Sequence, residues 1–438
     1  MWWRDTSSTS SGKPDGKQMT VRRLAAVDAQ TYLLSAKIPN DPLLLYGFAG
    51  VPANLEQAIE VVRCRANDCA ELRLRIRAGN IFTYPAWVSG DVDADRFTVH
   101  ELDDNSWVGC LAAVAKLADD HLDPRVVPWR LHFFTPVEGI PVARGAGTVA
   151  VLQISHACAD GARSSALAAH LFGRAGDIAP VATPRLRGVK LPWRTLVAAR
   201  THRQLVRDTE AALVPAQARS RPPLRTNAPP AGERSVRTLI RRRNRLPGPT
   251  VTIGVLCAVS TALSAHLREL GDDPSTLGAE VPMAKTTARE AHNHFGNVGV
   301  GLYPELGLNE RATRIADDIA DRRRRAQHPA MRAASRAFAV TPAPLLRWGV
   351  EQFDPAVRSS TVIGNTVVSS VNRGPTDLSF GEVPAVVTAG YPALSPMMGL
   401  THGVHGIGDT VAVSVYAAES AIGDIDEYVA RLDAALSG

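Results

Sequence analysis

The feature that most constrains the fold is a stretch rich in proline and arginine near the middle of the chain. Between residues 180 and 249 Pro, Arg and turn-forming residues dominate, as in PAQARSRPPLRTNAPPAGERS. This composition favours an extended connection over a packed element. The chain has 438 residues, which exceeds one average hydrophobic core. We therefore predict two halves joined by a crossover linker, with a cleft between them.

The patterns on both sides of this stretch mix helices with strands. In the first half, NLEQAIEVVRCRAND is typical of an amphipathic helix, and VPWRLHFF and GTVAVLQISH are typical of strands. In the second half, TVTIGVLCAVSTALSAHLREL predicts a helix, and strands follow at LGAEVPM and NVGVGLYPEL. The predicted class is α/β (α+β). The boundaries are an extension at 1–18 expected to be disordered, a first half at 19–180, a linker at 181–249 and a second half at 250–438.

Charge and cysteine content restrict the partners and the compartment. The formal net charge is +6, and most of the basic residues are arginine, which suits an anionic partner. There is no basic stripe interleaved with aromatics, so we do not expect nucleic acid. The five cysteines, an odd number, are scattered and do not resemble a disulfide framework or a zinc site. A reduced cytoplasmic location is the expectation.

The termini and apolar runs bear on membranes. Residues 1–18 lack the apolar centre of a signal peptide, and Met19 is an alternative start. The most apolar run, from Val251 to Leu267, is broken by Thr, Ser and His, so no spanning segment is predicted. In AFAVTPAPLLRWGVEQF, the residues Leu345, Leu346, Trp348 and Phe353 could form an apolar edge beside Arg347, or pack into the core. The first alternative predicts reversible binding to anionic membranes or lipid droplets.

The stretch ISHACADG ends an apolar run and carries the candidate chemistry. Alternation places His156 on the same face as Ile154 at the end of a strand, and Gly161 opens a helical pattern. An imidazole there can serve as a general base at neutral pH. Asp160 could fix the turn by a hydrogen bond or an Arg pair. The alternative is a buried histidine that bonds a backbone carbonyl.

Several segments together resemble the bacterial wax ester synthase/diacylglycerol acyltransferase family, part of the superfamily of chloramphenicol acetyltransferase and peptide-synthetase condensation domains. In chain order they are LAAVDAQTYLL, LDPRVVPWRLHFF, ISHACADG, GPTVTIGVLCAVSTALSAHLREL, VPM followed by HFGNVGVGLYPEL, VVSSVNRGPTDLSFGEVP, YPALSP and GDTVAVSVYAAES. The resemblance covers residues 24 to 438. It implies two chloramphenicol acetyltransferase-like halves, each a mixed sheet with packed helices, and a substrate tunnel between them.

The family's motif is His-His-x-x-x-Asp-Gly with the second His as base. Here Ser155 takes the first position and His156 the second, so the resemblance implies that the base is retained. The segment VTIG also departs from the Val-Asn-Asp-Val of many relatives. The implied activity is transfer of a long-chain acyl group from acyl-CoA to a fatty alcohol or diacylglycerol, without a cofactor. Asp160 and Gly161 would be structural, and the candidates for oxyanion or substrate contacts are Ser155, Asn297, Ser370 and Asn372.

Other patterns have simpler interpretations than a site. Cys64 and Cys69 point to different faces of a predicted helix, and His402 and His405 lie on opposite faces if THGVHG is extended, so no metal site is predicted. HFGNVGVG lacks the spacing of a dinucleotide loop. The arginine runs at 241–245 and 322–325 are solvated faces, or else hold CoA phosphates or lipid head groups.

Two other functions remain open. One is a same-fold acyltransferase with another acceptor, such as a polyketide-derived diol, a sugar or an amine. The other is a catalytically silent acyl-lipid-binding protein, which the replacement of the first motif His by Ser155 suggests.

Overall fold

The computed structural model of the protein describes residues 22–38, 40–176, 178, 180–182 and 190–437. The extension expected at 1–18 lies outside them. The helices within these ranges are α1 Ala26–Ser35, α2 Leu55–Asp68, α3 Trp107–Leu117, α4 Gly161–Leu171, α5 Leu191–Glu210, α6 Val251–Glu269, α7 Leu308–Ala326, α8 Pro329–Phe338, α9 Ala343–Glu351, α10 Glu419–Ile422 and α11 Ile425–Ser437.

The strands are β1 Arg22–Arg23, β2 Leu43–Phe48, β3 Leu74–Arg77, β4 Ala86–Ser89, β5 Phe97–His100, β6 Trp129–Val137, β7 Gly147–Ile154, β8 Arg234–Arg242, β9 Gly278–Ala284, β10 Phe295–Gly301, β11 Thr366–Asn372, β12 Ser379–Phe380, β13 Val383–Tyr391, β14 Leu400–Ile407 and β15 Thr410–Ala418. One six-stranded sheet, the N-terminal sheet, has the order β12-β13-β2-β7-β6-β5, and the other, the C-terminal sheet, has the order β10-β9-β11-β14-β15-β8. A small three-stranded sheet has the order β1-β4-β3.

Both large sheets are mixed. Most neighbours run antiparallel, but β5 pairs β6 in parallel, and β11 pairs both β14 and β9 in parallel. Helices cover them: α2 and α4 bury apolar residues against the N-terminal sheet, and α6 and α11 do so against the C-terminal sheet. The predicted fold class, two mixed sheets with packed helices, is confirmed.

The halves exchange strands, which the sequence boundaries did not anticipate. β12 and β13 come from the second half of the sequence, yet β13 pairs antiparallel with β2 in the N-terminal sheet. Apolar residues of β2 and β13 also share a core cluster with Val236, Ala412 and Tyr416 of the C-terminal sheet. The two sheets are therefore packed together by a common core.

The segment expected to be a linker contains regular structure. α5 runs for 20 residues within it, and β8 pairs along its whole length with β15 at the edge of the C-terminal sheet. Most Pro residues of the segment lie outside these two elements, which explains why a composition rich in Pro and Arg still permits them. The expectation of a plain connection across 181–249 needs this correction.

Helix α6 contains the run that the sequence analysis singled out as the most apolar. Among the described residues it is the one helix long and apolar enough, by length and composition, to cross a bilayer. However, 72% of its most apolar window is buried inside the protein. Its apolar face packs in the main core of the C-terminal half, as the central helix of a folded domain does.

Candidate active site

His156 lies in a turn immediately after β7. That strand is buried along its whole length, between β2 and β6. Beyond its last residue, the Ser155 amide donates to the Pro128 carbonyl at 2.9 Å, and the His156 amide donates to the Asn40 carbonyl at 3.0 Å. These bonds fix the backbone of the motif at the C-terminal end of β7.

The imidazole of His156 is half-buried and faces the second half of the chain. Its ring centroid is 5.3 Å from that of Phe295, the first residue of β10. Nδ1 is buried and hydrogen-bonds to no described residue. Nε2 is therefore the ring nitrogen left for a substrate. The catalytic candidate lies where the two halves meet, as expected for a cleft enzyme.

Asp160 ties the two halves together. It caps α4 by accepting the Arg163 amide at 2.9 Å, and it accepts the Arg289 guanidinium and the His294 amide, both at 2.9 Å. The residue is 2% exposed. Burial alone would raise the pKa of its carboxyl, but the bonds from Arg289, Arg163 and His294 hold the pKa below its usual value. These contacts fit the positional role implied for Asp160.

A second buried carboxylate holds the same part of the second half. Asp28 of α1 accepts the amides of His292 and Asn293 at 2.9 and 2.8 Å. The Asn293 side-chain amide donates both to Asp28, at 3.2 Å, and to the His156 carbonyl, at 2.9 Å. We call residues 289–294 the clamp segment, because two carboxylates of the first half grip it just before Phe295.

Glu71 completes this buried ionic cluster. Its carboxylate lies 3.1 Å from His292 Nε2, 2.6 Å from Arg163 and 3.2 Å from Arg22. Burial opposes ionisation of Glu71, but the bonds from His292 and Arg22, with the charges of Arg22 and Arg163, lower its pKa to about 2. The carboxylate therefore stays charged at any physiological pH, and the contact is a permanent link between the halves.

A cavity of about 390 Å³ opens on another side of the junction. Both halves line it, with Asp41 and His121 from the first and Arg358 and Tyr391 from the second. Asp41 is 8% exposed and follows Asn40, whose carbonyl holds the His156 amide. Burial raises the pKa of the Asp41 carboxyl, against the amide of Leu122 and the charge of His156. The cavity thus lies next to the backbone that positions His156.

The other candidate residues, except Ser155, hydrogen-bond to groups of the second half. Ser155 is buried, and its Oγ has no described partner. Asn297 donates to Glu280 at 3.2 Å, Ser370 accepts from Thr252 at 3.0 Å, and Asn372 accepts from the Gly374 amide at 3.1 Å.

Gly161 begins α4, and a methyl group there would lie 3.6 Å from Val371 of β11. Two second-half residues that were not among the candidates, Asn293 and Phe295, contact His156. The sequence analysis missed both, and it missed Asp28 and Asp41. Two features of the sequence could have pointed to these residues: an acidic residue on the apolar face of α1, and the polar run HNH before a strand.

The histidine pair His402 and His405 is buried in β14, which the sequence analysis considered only as an extended possibility. His402 bonds Thr366 Oγ1 at 2.9 Å and Tyr428 Oη at 2.7 Å. Across the part of the chain that is described, no group of three or more His, Cys, Asp or Glu side chains is placed to hold a metal ion. Cys64 is exposed and Cys69 is buried, and the cysteines are free thiols.

The two arginine runs have internal partners. Arg241 pairs with Asp433 of α11, and Arg243 donates to the Gly408 carbonyl. Arg325 donates to Thr209 Oγ1 and the Pro215 carbonyl, at 3.2 and 2.8 Å, and Arg322 donates to the Ala216 carbonyl. These side chains anchor α7 and β8 to neighbouring segments, so the runs are not simply solvated faces.

The fold is shared with acyl-transferring enzymes of known structure. No family model and no curated protein matches the sequence. The structure is similar to the wax ester synthase/diacylglycerol acyltransferase from Marinobacter aquaeolei VT8, at 17% identity and a TM-score of 0.61, over 95% of this chain and 98% of that one. It is also similar to the starter condensation domain of rhizomide synthetase in complex with C8-CoA and Leu-SNAC, at 14% identity and a TM-score of 0.57, over 95% and 93%. The resemblance seen in the sequence is confirmed at the level of the fold.

Proposed function

We propose that the protein is an acyltransferase that moves an acyl group from acyl-CoA to a hydroxyl acceptor, with His156 as the general base. The observation that carries the proposal is the position of His156, with an accessible Nε2 at the junction of two halves whose fold is that of acyl-transferring enzymes. The proposed roles of Asp160 and Gly161 are structural.

In the proposed reaction, Nε2 of His156 takes the proton from the acceptor hydroxyl as its oxygen attacks the thioester carbonyl. The C=O bond opens to a tetrahedral oxyanion. This intermediate collapses by cleavage of the C–S bond, and the CoA thiolate takes the proton from the imidazolium. The proposed reaction needs no resident cofactor, because acyl-CoA is a cosubstrate and His156 returns to its starting protonation state.

Positional support for His156 comes from both sides of its peptide unit. The Asn40 carbonyl accepts its amide, and the Asn293 side chain donates to its carbonyl. A base held this way loses little entropy on reaching the reactive geometry. Replacement of the first motif His by Ser155 leaves both contacts in place, which supports an active enzyme over a silent lipid-binding protein.

The acceptor proposed from the resemblance is a fatty alcohol or diacylglycerol, giving wax ester or triacylglycerol. The alternatives are a polyketide-derived diol, a sugar or an amine. The proposed location is cytoplasmic, with peripheral attachment to the inner membrane face or to lipid droplets through the exposed side of α9. There, Leu345, Trp348 and Phe353 are exposed, whereas Leu346 packs into the core.

The test is incubation of the purified protein with radiolabelled palmitoyl-CoA and a panel of acceptors. Labelled ester with a fatty alcohol or diacylglycerol supports the leading acceptor class. Product restricted to diols, sugars or amines supports acyl transfer with another acceptor. Absence of product and of CoA release with every acceptor would contradict the proposal.

A further inference from the structure

The 390 Å³ cavity is lined by a buried carboxylate, Asp41, that the proposed mechanism does not use. Asp41 Oδ2 accepts the Leu122 amide at 2.9 Å. The nitrogen Nδ1 of His121 is 3.9 Å from Oδ2, which is beyond hydrogen-bond distance. Oδ1 hydrogen-bonds to no described residue. One carboxylate oxygen at the wall of a 390 Å³ cavity therefore lacks a described protein donor.

The cationic side chains of the cavity wall do not supply that donor. Lys37 Nζ donates to the carbonyls of Glu351 and Phe353, at 2.9 and 2.6 Å. Arg358 donates to the Pro396 carbonyl, and Arg234 pairs with Asp119 at 2.9 Å. Each is committed elsewhere, although it lines the same space. Asp41 is 8% exposed, and its second oxygen is open to the cavity, where a donor group of an occupant can reach it.

The shape of the cavity also bears on the occupant. Proline side chains form part of its wall, and the polar side chains of Tyr391, Ser395 and Tyr416 also line it. The prolines are Pro229, Pro230, Pro355 and Pro396. Its volume is near the lower end of the range of small-molecule sites, roughly 300 to 1,000 Å³. A modest space with a partly polar wall suits a small acceptor with a polar group, better than a lipid with two long chains.

We propose that this cavity binds the acceptor, and that Asp41 accepts a hydrogen bond from a second donor group on it, a hydroxyl or an ammonium. The acceptor class is then a diol or an amino alcohol. This inference rests on the proposed acyl transfer and narrows its acceptor. Since the Asn40 carbonyl holds the His156 amide, binding at the adjacent residue orients the acceptor relative to the base.

Three acceptors of equal chain length test it: hexan-1-ol, hexane-1,6-diol and 6-aminohexan-1-ol, each with octanoyl-CoA. We expect the diol and the amino alcohol to exceed hexan-1-ol in kcat/KM by about tenfold or more, because hexan-1-ol leaves the carboxylate unpaired. Asp41→Asn keeps an oxygen for the Leu122 amide but loses the charge. It should remove the preference for the amino alcohol over hexan-1-ol.

Asp433→Asn is the control, since Asp433 does not line the cavity. Calorimetric titration of 6-aminohexan-1-ol into wild type and Asp41→Asn measures binding without turnover. Binding that depends on Asp41 in a protein that acylates nothing would retain this site and refute the acyltransferase proposal. Equal use of all three acceptors by wild type, or a preference unchanged in Asp41→Asn, would overturn the inference and leave acyl transfer standing. If Asp41→Asn fails to fold, the comparison of the three acceptors with the wild-type protein still tests the inference.

Discussion

The two halves of the molecule meet differently on the two sides of His156. At the clamp segment the junction is buried and rich in carboxylates, with Asp28, Glu71 and Asp160 each bonded across it. At the cavity the same halves leave open space, and Asp41 keeps an oxygen without a described partner. The peptide of His156 is bonded on both sides. The clamp side therefore holds the two halves together, and in our proposal the cavity side admits the acceptor.

The largest expected effect follows from removing the imidazole of His156, whose backbone is held by residues of both halves. His156→Ala should lower turnover by about a hundredfold or more, because general-base catalysis contributes roughly 10²–10⁴. Folding should be unchanged, because the ring is half-buried and Nδ1 bonds to no described residue. Steady-state kinetics and thermal melting measure the two. His202→Ala, at an exposed position on α5, is the control, and activity within a few-fold of wild type would remove His156 from the mechanism.

The contrast between the two sides was only partly predictable from sequence. The strand before His156 and the turn at Asp160 are local patterns, so period-2 alternation and the Asp-Gly pair indicated them. The clamp joins Asp28 to His292 across 264 positions and Glu71 to His292 across 221. No local pattern encodes such pairs, because each partner is a single residue whose neighbours follow other rules. Strand β14 was missed as a prediction for a related reason, since its glycines weaken the strand signal.

The next effect tests whether the clamp side is mainly structural. Asp160→Asn removes the charge opposite Arg289 and should destabilise the fold by about 3 kcal/mol, since breaking a buried pair leaves an uncompensated charge. Turnover should fall with it, as Phe295 loses its position beside His156. Chemical denaturation and kinetics on the same samples measure both.

Asp377→Asn is the matched control, because Asp377 also pairs with an arginine from a distant part of the sequence, Arg174, but at the surface. An exposed pair of this kind contributes about 0–1 kcal/mol. A loss of rate in Asp160→Asn with an unchanged melting temperature would contradict the structural role and place Asp160 in the chemistry.

A smaller effect tests the ionic contacts of Glu71 by the pH dependence of stability. The pKa of Glu71 is lowered to about 2 in the fold, from an ordinary value of 4.5. Its stabilising contribution is therefore complete above about pH 4.5 and is lost as the pH falls towards 2. Glu71→Gln should be less stable than wild type at pH 7, and the difference should shrink between pH 4.5 and 2. Urea unfolding across this range measures it, with the exposed Glu305→Gln as control. A difference that stays constant with pH would show that Glu71 acts by packing alone.

The smallest effect concerns the surface next to the open side. Helix α9 ends where Lys37 Nζ donates to the Glu351 and Phe353 carbonyls, and the chain then continues into Pro355 and Arg358 of the cavity wall. The apolar edge on this helix therefore lies near the cavity, and membrane attachment there would bring the open side towards lipid. The protein should bind vesicles containing anionic lipid and release them at high salt, because surface charges are screened within roughly 8 Å at physiological ionic strength.

The matched pair Leu345→Ser and Leu308→Ser separates this edge from the general surface. The two leucines are 50% and 51% exposed, but Leu308 begins α7 in the second half of the chain. If the edge inserts, burial of one leucine contributes about 1–2 kcal/mol, so Leu345→Ser should weaken co-sedimentation by roughly tenfold while Leu308→Ser leaves it unchanged. Equal binding to neutral vesicles, or an equal loss in both variants, would refute attachment through α9. The contrast between the clamp and the cavity would then describe substrate access from water, and the acyltransferase proposal would be unaffected.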